Sequence, residues 1–307
     1  MLRRFALLFL GVFACSTAVI MIKLRDKLPP VYLASYRCLG AALILSPLFI
    51  RGLARNPGAF TRRHLLRCLL PGLLLGIHFV TWIIGADGPP AANSSLIVNM
   101  VPLVMPFVLF AIMRERPTRG ELAGSALAIA GVIVMTASDF SFAPDHFSGD
   151  VLCLVSMVFF CVYLVLARRN RDFATVWLYL VPVYTIAGFV CLAGGIAWGK
   201  SLALWAPRDL AIAAGLALVP TVIGHSTLNW SMRHLGAQAV GVANLGQVLF
   251  ASTMAYFILD ETPRGTTGIA AALIACGIVV ALRSAAREEA TPAPKAETHA
   301  PSRANVP

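Results

Sequence analysis

The sequence predicts an all-α integral membrane protein, with ten transmembrane helices arranged as two inverted five-helix repeats and both termini cytoplasmic. Three observations carry this prediction: an apolar composition, ten apolar windows of membrane-spanning length, and an internal echo at a spacing of about 146 residues. Of 307 residues, 58% are hydrophobic and 13% charged, with a mean hydropathy of +0.79. A soluble domain is roughly 45–50% apolar and about 25% charged. This chain has too little polar surface to face water on all sides.

Crossing ~30 Å of hydrocarbon takes about 20 apolar residues, and the backbone there must satisfy its own hydrogen bonds, so each window reads as a helix. The first window, 4–22, follows Arg3 and Arg4 and could pass for a secretory leader. It continues through Ile22, longer than a leader's apolar core, and reads as a first span. The second, 31–50, opens behind Pro29 and Pro30 and contains Arg37. The third, 67–86, carries GIHFVTW (76–82), and the fourth, 92–113, carries AANSSLIVNMVPLVMP (91–106). The fifth, 120–138, contains IAGVIVM (129–135), and the sixth and seventh cover 150–168 and 175–198. The eighth, 209–231, carries GHSTLNW (224–230), and the ninth and tenth cover 237–259 and 265–283. Beyond residue 286 the chain reads EEATPAPKAETHAPSR (288–303), a charged, Pro/Ala-rich cytoplasmic tail that cannot bury a core. The expected units are therefore 1–140, 141–285 and a disordered 286–307.

A net charge of +11 invites a nucleic-acid reading, but the placement of the charges excludes it. With a cytoplasmic N-terminus, the inside loops hold Arg3, Arg4, Arg51, Arg55, Arg62, Arg63, Arg67, Arg114, Arg116, Arg119, Arg168, Arg169, Arg171, Arg233, Arg283, Arg287, Lys295 and Arg303. The outside holds Lys23, Arg25, Lys27, Lys200, Arg208 and Arg264. This asymmetry obeys the positive-inside rule and explains the basic excess as a topology signal. The seven cysteines show no Cys-x-x-Cys or Cys/His ligand spacing and read as small buried apolar residues, so no metal or cofactor is expected.

RERP (114–117) and DETP (260–263) superimpose on a shift of 146, which also places Gly131 on Gly277, Phe13 on Phe159 and Cys15 on Cys161. The histidine stretches align on 147 or 148. Five helices per copy is an odd number, so the second copy enters the membrane from the opposite side. Inverted repeats of this kind underlie many secondary transporters, because two such halves can exchange conformations around one midplane site.

On these residues the chain resembles the drug/metabolite transporter superfamily, specifically tandem EamA-type permeases, over about residues 5–283. PPVYLASYR (29–37), the 91–106 stretch, the Glu-x-Pro junctions before Gly-containing fifth and tenth helices, and IGHSTLNWSMRHLGAQAV (223–240) carry the resemblance. ADGPPA (86–91) departs from the family pattern, which has a longer helical turn there. The resemblance implies a permease that works by alternating access and favours efflux.

Polar side chains inside a bilayer are costly and line a bundle interior or a pathway. By helical spacing, His78, Thr81 and Trp82 share a face of the third helix, and Thr221, His225 and Asn229 form a stripe on the eighth. Ser95 and Asn99 lie one turn apart on the fourth, Asn244 and Gln247 three apart on the ninth, and Ser156, Phe160 and Tyr163 on one side of the sixth. The bland alternatives stay open: helix-to-helix bonding for the Ser95/Asn99 and Asn244/Gln247 pairs, and an interfacial belt for Trp82 and Trp230. For Arg37 the alternatives are snorkelling or carbonyl bonding against receipt of a substrate carboxylate.

No acidic residue lies deep in an apolar window, which disfavours carriers built on a buried carboxylate and makes His78 and His225 the candidate proton carriers if transport is coupled. An intramembrane enzyme lacks its nucleophile motif. The expectation is a bacterial inner-membrane secondary transporter for a small metabolite, an amino acid or similar zwitterion. A lipid or polyprenyl-phosphate flippase and a nucleotide-sugar or sugar-phosphate carrier are the alternatives, and each would need more basic groups in the cavity than Arg37 alone.

Overall fold

The computed structural model describes residues 1–86, 97–136, 147–201, 206–260 and 265–290, and all regular structure among them is helical. The helices are α1 (Leu2–Lys23), α2 (Pro30–Arg55), α3 (Arg62–Ala86), α4 (Val101–Met113), α5 (Arg119–Thr136), α6 (Phe147–Arg169), α7 (Val176–Ala197), α8 (Pro207–His234), α9 (Ala237–Asn244 and Gly246–Leu259, meeting at Leu245) and α10 (Thr267–Ala290). Among the described residues eight of them, α1 to α3 and α6 to α10, are long and apolar enough to cross a membrane, and α4 is a shorter apolar helix of 13 residues. The protein is a multi-pass membrane protein.

Local chemistry sets the ends. Pro30 opens α2, where its missing N–H costs nothing. Thr175 caps α7 by accepting from the Leu178 amide at 3.3 Å. Thr118 and Glu121 form a reciprocal box at the start of α5: the Glu121 carboxylate accepts the Thr118 amide at 2.9 Å, and the Thr118 hydroxyl oxygen accepts the Glu121 amide at 3.1 Å.

Three expectations change here. The fourth window is not one uninterrupted helix: a helical turn at 97–99 breaks at Met100, because Pro102 in the first turn of α4 cannot donate to a preceding carbonyl. The tail begins later than 286, since the helix-forming run SAAREEA carries α10 on to Ala290; 291–307 lies outside the described residues. Two carboxylates are buried, against the expectation of none. Asp209 accepts the Asp26, Lys27 and Leu28 amides at 2.9–3.1 Å, and Glu121 makes the box above. Both sit in the first turn of a helix at the membrane edge, where the amides replace water and the helix dipole favours an anion.

The pairing of helices follows the 146-residue echo. α1 packs on α8 as α6 packs on α3, and α9 packs on α1 as α4 packs on α6. The α5–α10 pair is the most intimate. A Cβ on Gly131 would lie 2.8 Å from the Ala270 oxygen and Ile274, and one on Gly277 would lie 2.6 Å from the Gly124 oxygen and Ala128 nitrogen. Gly124, Ala128 and Gly131 become Ala270, Ile274 and Gly277 on adding 146, so each helix offers its equivalent residues to the other, as an isologous two-fold contact does. Among the described residues, the non-glycine residues with positive φ are Arg114 (60°) and Asp260 (54°), again 146 apart, ending α4 and α9.

Polar contacts also divide the bundle into two ends. At one, Arg67 pairs with Asp172 at 2.5 Å and Arg168 with Glu115 at 2.7 Å, while Arg168 donates to the Leu235 carbonyl at 2.7 Å. The Arg67 guanidinium holds the exposed Asp172 carboxyl below the usual carboxylate range. At the other end Asp209 ties down the α1–α2 connection, and the Tyr32 hydroxyl donates to the Lys200 carbonyl at 2.6 Å.

Helices in lipid have no hydrophobic drive towards each other, so close backbone approach at small residues carries their association. Gly277→Ala is therefore expected to lower stability by about 1–3 kcal/mol through overpacking. Gly268→Ala, with nothing within 4 Å of its Cβ position, should be neutral or mildly stabilising in the same detergent melting measurement.

Candidate functional site

A cavity of about 260 Å³ lies between the helices, in the half of the bundle away from the Arg168/Glu115 end. Its wall takes Cys15, Ser16, Ala18 and Val19 from α1, Arg37 from α2, and His78, Phe79 and Trp82 from α3. Val98 and Asn99 come from the turn before α4, Phe160 from α6, His225 and Leu228 from α8, and Asn244, Gln247, Val248 and Ala251 from α9. Burial is graded: Cys15, Arg37, His78, His225 and Leu228 are buried, whereas Trp82, Val98, Gln247 and Ala251 are half-exposed. Met105, Tyr163 and Met232, on α4, α6 and α8, are fully buried and lie outside this wall.

Eight of the sequence-predicted residues meet in this wall: the seven polar or amphipathic Arg37, His78, Trp82, Asn99, His225, Asn244 and Gln247, and Phe160 with them. Ser95 lies outside the described residues. Thr81 turns its hydroxyl back onto its own helix, donating to the Ile77 carbonyl at 2.8 Å. Tyr163, Thr221 and Asn229 lie behind the wall. The reason for Thr221 is the backbone of α8, which over Ala217–His225 is wound as a π-helix around Pro220, whereas Asn229 sits one ordinary α turn past His225, closer to Arg233. The Thr221 hydroxyl accordingly donates five residues back, to the Leu216 carbonyl, at 2.8 Å. An i, i+4, i+8 stripe assumes ordinary α winding and rotates apart when the turn widens. His225 then faces the cavity, Thr221 turns to Arg37, and Asn229 donates to the Tyr163 hydroxyl at 2.6 Å and the His225 carbonyl at 2.7 Å.

Arg37 neither snorkels nor bonds a carbonyl. Its Nε donates to Thr221 Oγ1 at 3.1 Å, and its guanidinium carbon lies 4.6 Å from the centre of the Phe79 ring, a cation–π contact. Among the described residues neither terminal nitrogen has a hydrogen-bond partner, although the residue is only 3% exposed. No carboxylate lines the cavity among the described residues.

The two histidines differ. His78 Nδ1 lies 3.0 Å from the Ser156 carbonyl oxygen and 2.8 Å from Ser156 Oγ, while that hydroxyl donates to the His78 carbonyl at 2.9 Å. A carbonyl only accepts, so Nδ1 carries the proton, and in the neutral ring Nε2 is an acceptor. The ring stacks on Phe160 at 4.7 Å. His225 packs edge-on to Phe79 (5.8 Å) and Phe160 (6.0 Å), and its buried Nδ1 has no partner among the described residues. On α9, Gln247 donates to the Asn244 side-chain oxygen.

Cys15, Ser16 and Phe79 belong to the wall without having been singled out in the sequence. A phenylalanine or cysteine in an apolar run carries no signal that distinguishes wall from core. Cys276, expected to be buried, is exposed on α10.

A second cavity of about 450 Å³ lies at the arginine-rich end, against Glu115, Arg116, Glu121, Arg168, Arg171, Arg233 and Gln238. Part of its charge is engaged: Arg233 donates to the Phe173 carbonyl at 2.6 Å, and Arg168 bonds Glu115.

The sequence signature of the EamA-like transporter family matches residues 4–137 and 147–283, which is both halves of this bundle. The chain belongs to the EamA-like transporter family. A relative named "Uncharacterized transporter" from Archaeoglobus fulgidus is 25% identical over 283 residues, covering 87% of this chain and 92% of its own length. One from Methanothermobacter thermautotrophicus, with the same name, is 26% identical over 224 residues, covering 70% and 63%. A protein of known crystal structure superposes with a TM-score of 0.79 at 20% identity, covering 94% of this chain and 99% of its own, and so shares the fold. As an EamA-family member, the protein is a membrane transporter.

The hydrogen bonding of His78 gives a direct check. In nitrogen-15 spectra of the histidine-labelled protein at neutral pH, with the His78 signals assigned by their loss in His78→Gln, Nδ1 should be the protonated nitrogen and Nε2 the bare one. The reverse tautomer would contradict the Ser156 contact.

Proposed function

We propose that this EamA-family transporter is a secondary permease of a bacterial inner membrane. On this reading it moves a small amphipathic metabolite, an amino acid or a similar zwitterion, by alternating access, with efflux favoured by the family resemblance. The observation that carries this reading is that the central cavity is built jointly by both halves. α1, α2, α3 and the turn before α4 contribute from the first half and α6, α8 and α9 from the second, with His78 and His225 facing it from near-equivalent helices. A site on a pseudo-two-fold axis is what two inverted halves need in order to expose it alternately.

The finer architecture belongs to the same proposal: ten spans, inverted units at 1–140 and 141–285, and both termini cytoplasmic. The positive-inside rule supports placing the arginine-rich end in the cytoplasm. The cavity then leans towards the periplasm, and the cytoplasmic side is closed by the Arg168–Glu115 pair, the Arg168 bonds to the α8–α9 turn, and the Tyr163–Asn229 contact. Substrate release inward requires these to part. The wall mixes aromatic rings with amides and imidazoles, which suits a solute with one polar end and an apolar body. A polyprenyl-phosphate or sugar-phosphate cargo is disfavoured, because the wall, among the described residues, holds a single guanidinium for a multiply charged head. Under this proposal His78 and His225 are the groups able to carry a proton.

Purified protein in proteoliposomes, offered a panel of radiolabelled amino acids, tests the reading. At least one should accumulate faster than in empty vesicles, and His78→Ala should cut that rate about tenfold or more, as loss of an oriented polar contact in a water-poor site does. Transport unchanged by His78→Ala would remove this ring from the site. Transport of no small metabolite, with lipid scrambling instead, would favour the flippase.

A further inference from the structure

The charge balance of the central cavity narrows its occupant. Arg37 is permanently charged, because a guanidinium does not give up its proton in a protein. It is buried in a membrane bundle, where an unpaired charge is among the most costly features a fold can carry. Thr221 occupies its Nε from behind and Phe79 covers one face, which fixes the plane of the fork. Both terminal nitrogens remain without a hydrogen-bond partner among the described residues, and Arg37 is part of the cavity wall. Planar paired donors with no anion of their own match a carboxylate, which accepts two parallel N–H bonds.

A second observation points the same way. The only fixed charge in the described wall is this cation, and the acceptors there are weak: His78 Nε2 and amide oxygens, of which the Asn244 oxygen already serves Gln247. Among the described residues, nothing in the wall offers an ammonium group the counter-charge that Arg37 offers a carboxylate. Phe79, Phe160 and Trp82 supply the apolar surface for the rest of the molecule.

We propose that the central cavity recognises a monocarboxylate with an apolar or aromatic body, that Arg37 is its specificity-determining residue with Thr221 as its positioning residue, and that an amino group on the solute is dispensable. This rests on the reading of the cavity as the transport site. It goes further in making the anionic end, and not the zwitterionic pair, the feature recognised.

Three probes that share a phenyl body separate the possibilities: 3-phenylpropionate, phenylalanine and phenethylamine, titrated calorimetrically against the full-length protein in detergent. The acid and the amino acid should bind, the acid at least as tightly, and the amine should not. Arg37→Gln should weaken binding of 3-phenylpropionate by roughly 30-fold or more, the usual consequence of removing one partner of a desolvated charge pair. Arg37→Lys should recover part of it, and Thr221→Val should weaken it less than Arg37→Gln while leaving the charge in place. Unliganded melting temperature and gel-filtration profile check that each variant is folded, and the Arg37→Lys and Thr221→Val comparison keeps the test alive if Arg37→Gln is not. Failure of both carboxylates to bind, or binding unaffected by these variants, would overturn the proposal. Phenethylamine binding that His78→Ala abolishes and Arg37→Gln spares would overturn it while leaving the transport site intact. If no probe binds while proteoliposome transport of another metabolite resists all these substitutions, the assignment of the cavity falls as well.

Discussion

A bilayer interior offers no water to a polar group, and this fold is organised around one group that cannot become neutral. The Arg37 guanidinium is held by a hydroxyl from α8 and an aromatic face from α3, and each of these depends on something further. Thr221 reaches Arg37 because Pro220 sits in a widened turn of α8. Phe79 is positioned by α3, whose Gly76 lets the α7 backbone approach until a Cβ would be 2.6 Å from Val190. The same widened turn ends at His225 in the cavity wall, and one ordinary turn later Asn229 braces Tyr163. One buried charge thus connects the irregular part of α8, the close α3–α7 seam and the shape of the cavity.

The second organising element is the symmetry of the seams. Glycines 124, 131 and 277 meet across α5 and α10 so tightly that no side chain fits. Close glycine seams also join wall helices, α8 to α1 at Gly224 and α3 to α6 at Gly85. Alternating access under the proposed mechanism divides such contacts into two kinds. Some seams must stay fixed while others part, and the Arg168–Glu115 pair and Tyr163–Asn229 contact are polar, countable interactions of the kind that can break and re-form.

The helical membrane character and most helix positions were legible in the sequence because hydrophobic length is a strong and local signal. The repeat was legible through Glu-x-Pro and glycine landmarks, and the structure gives those a physical content: Arg114 and Asp260 take up the same left-handed turn, and Gly131 and Gly277 the same seam. Seven wall residues were legible because polar side chains in an apolar run have few other reasons to be there. Thr221 was misplaced by an assumption of uniform winding, which periodicity cannot test where a proline widens the turn, and Asn229, in ordinary winding one turn past His225, because periodicity gives a face and not a depth. Cys15 and Phe79 were not legible, since an apolar residue beside a cavity and one in a core read alike. Asp209 and Glu121 escaped notice as buried carboxylates because each lies at a helix start, where sequence shows only the edge of an apolar run.

The central claim is that the cavity holding Arg37, and not the larger arginine-rich one at the opposite end, receives the solute. A structure of the full-length protein in nanodiscs with saturating 3-phenylpropionate tests it most directly. The account predicts ligand density in the central cavity, with its carboxylate against the terminal nitrogens of Arg37 and its ring between Phe79 and Phe160. Density among Arg116, Arg171 and Arg233, with the central cavity empty, would contradict it.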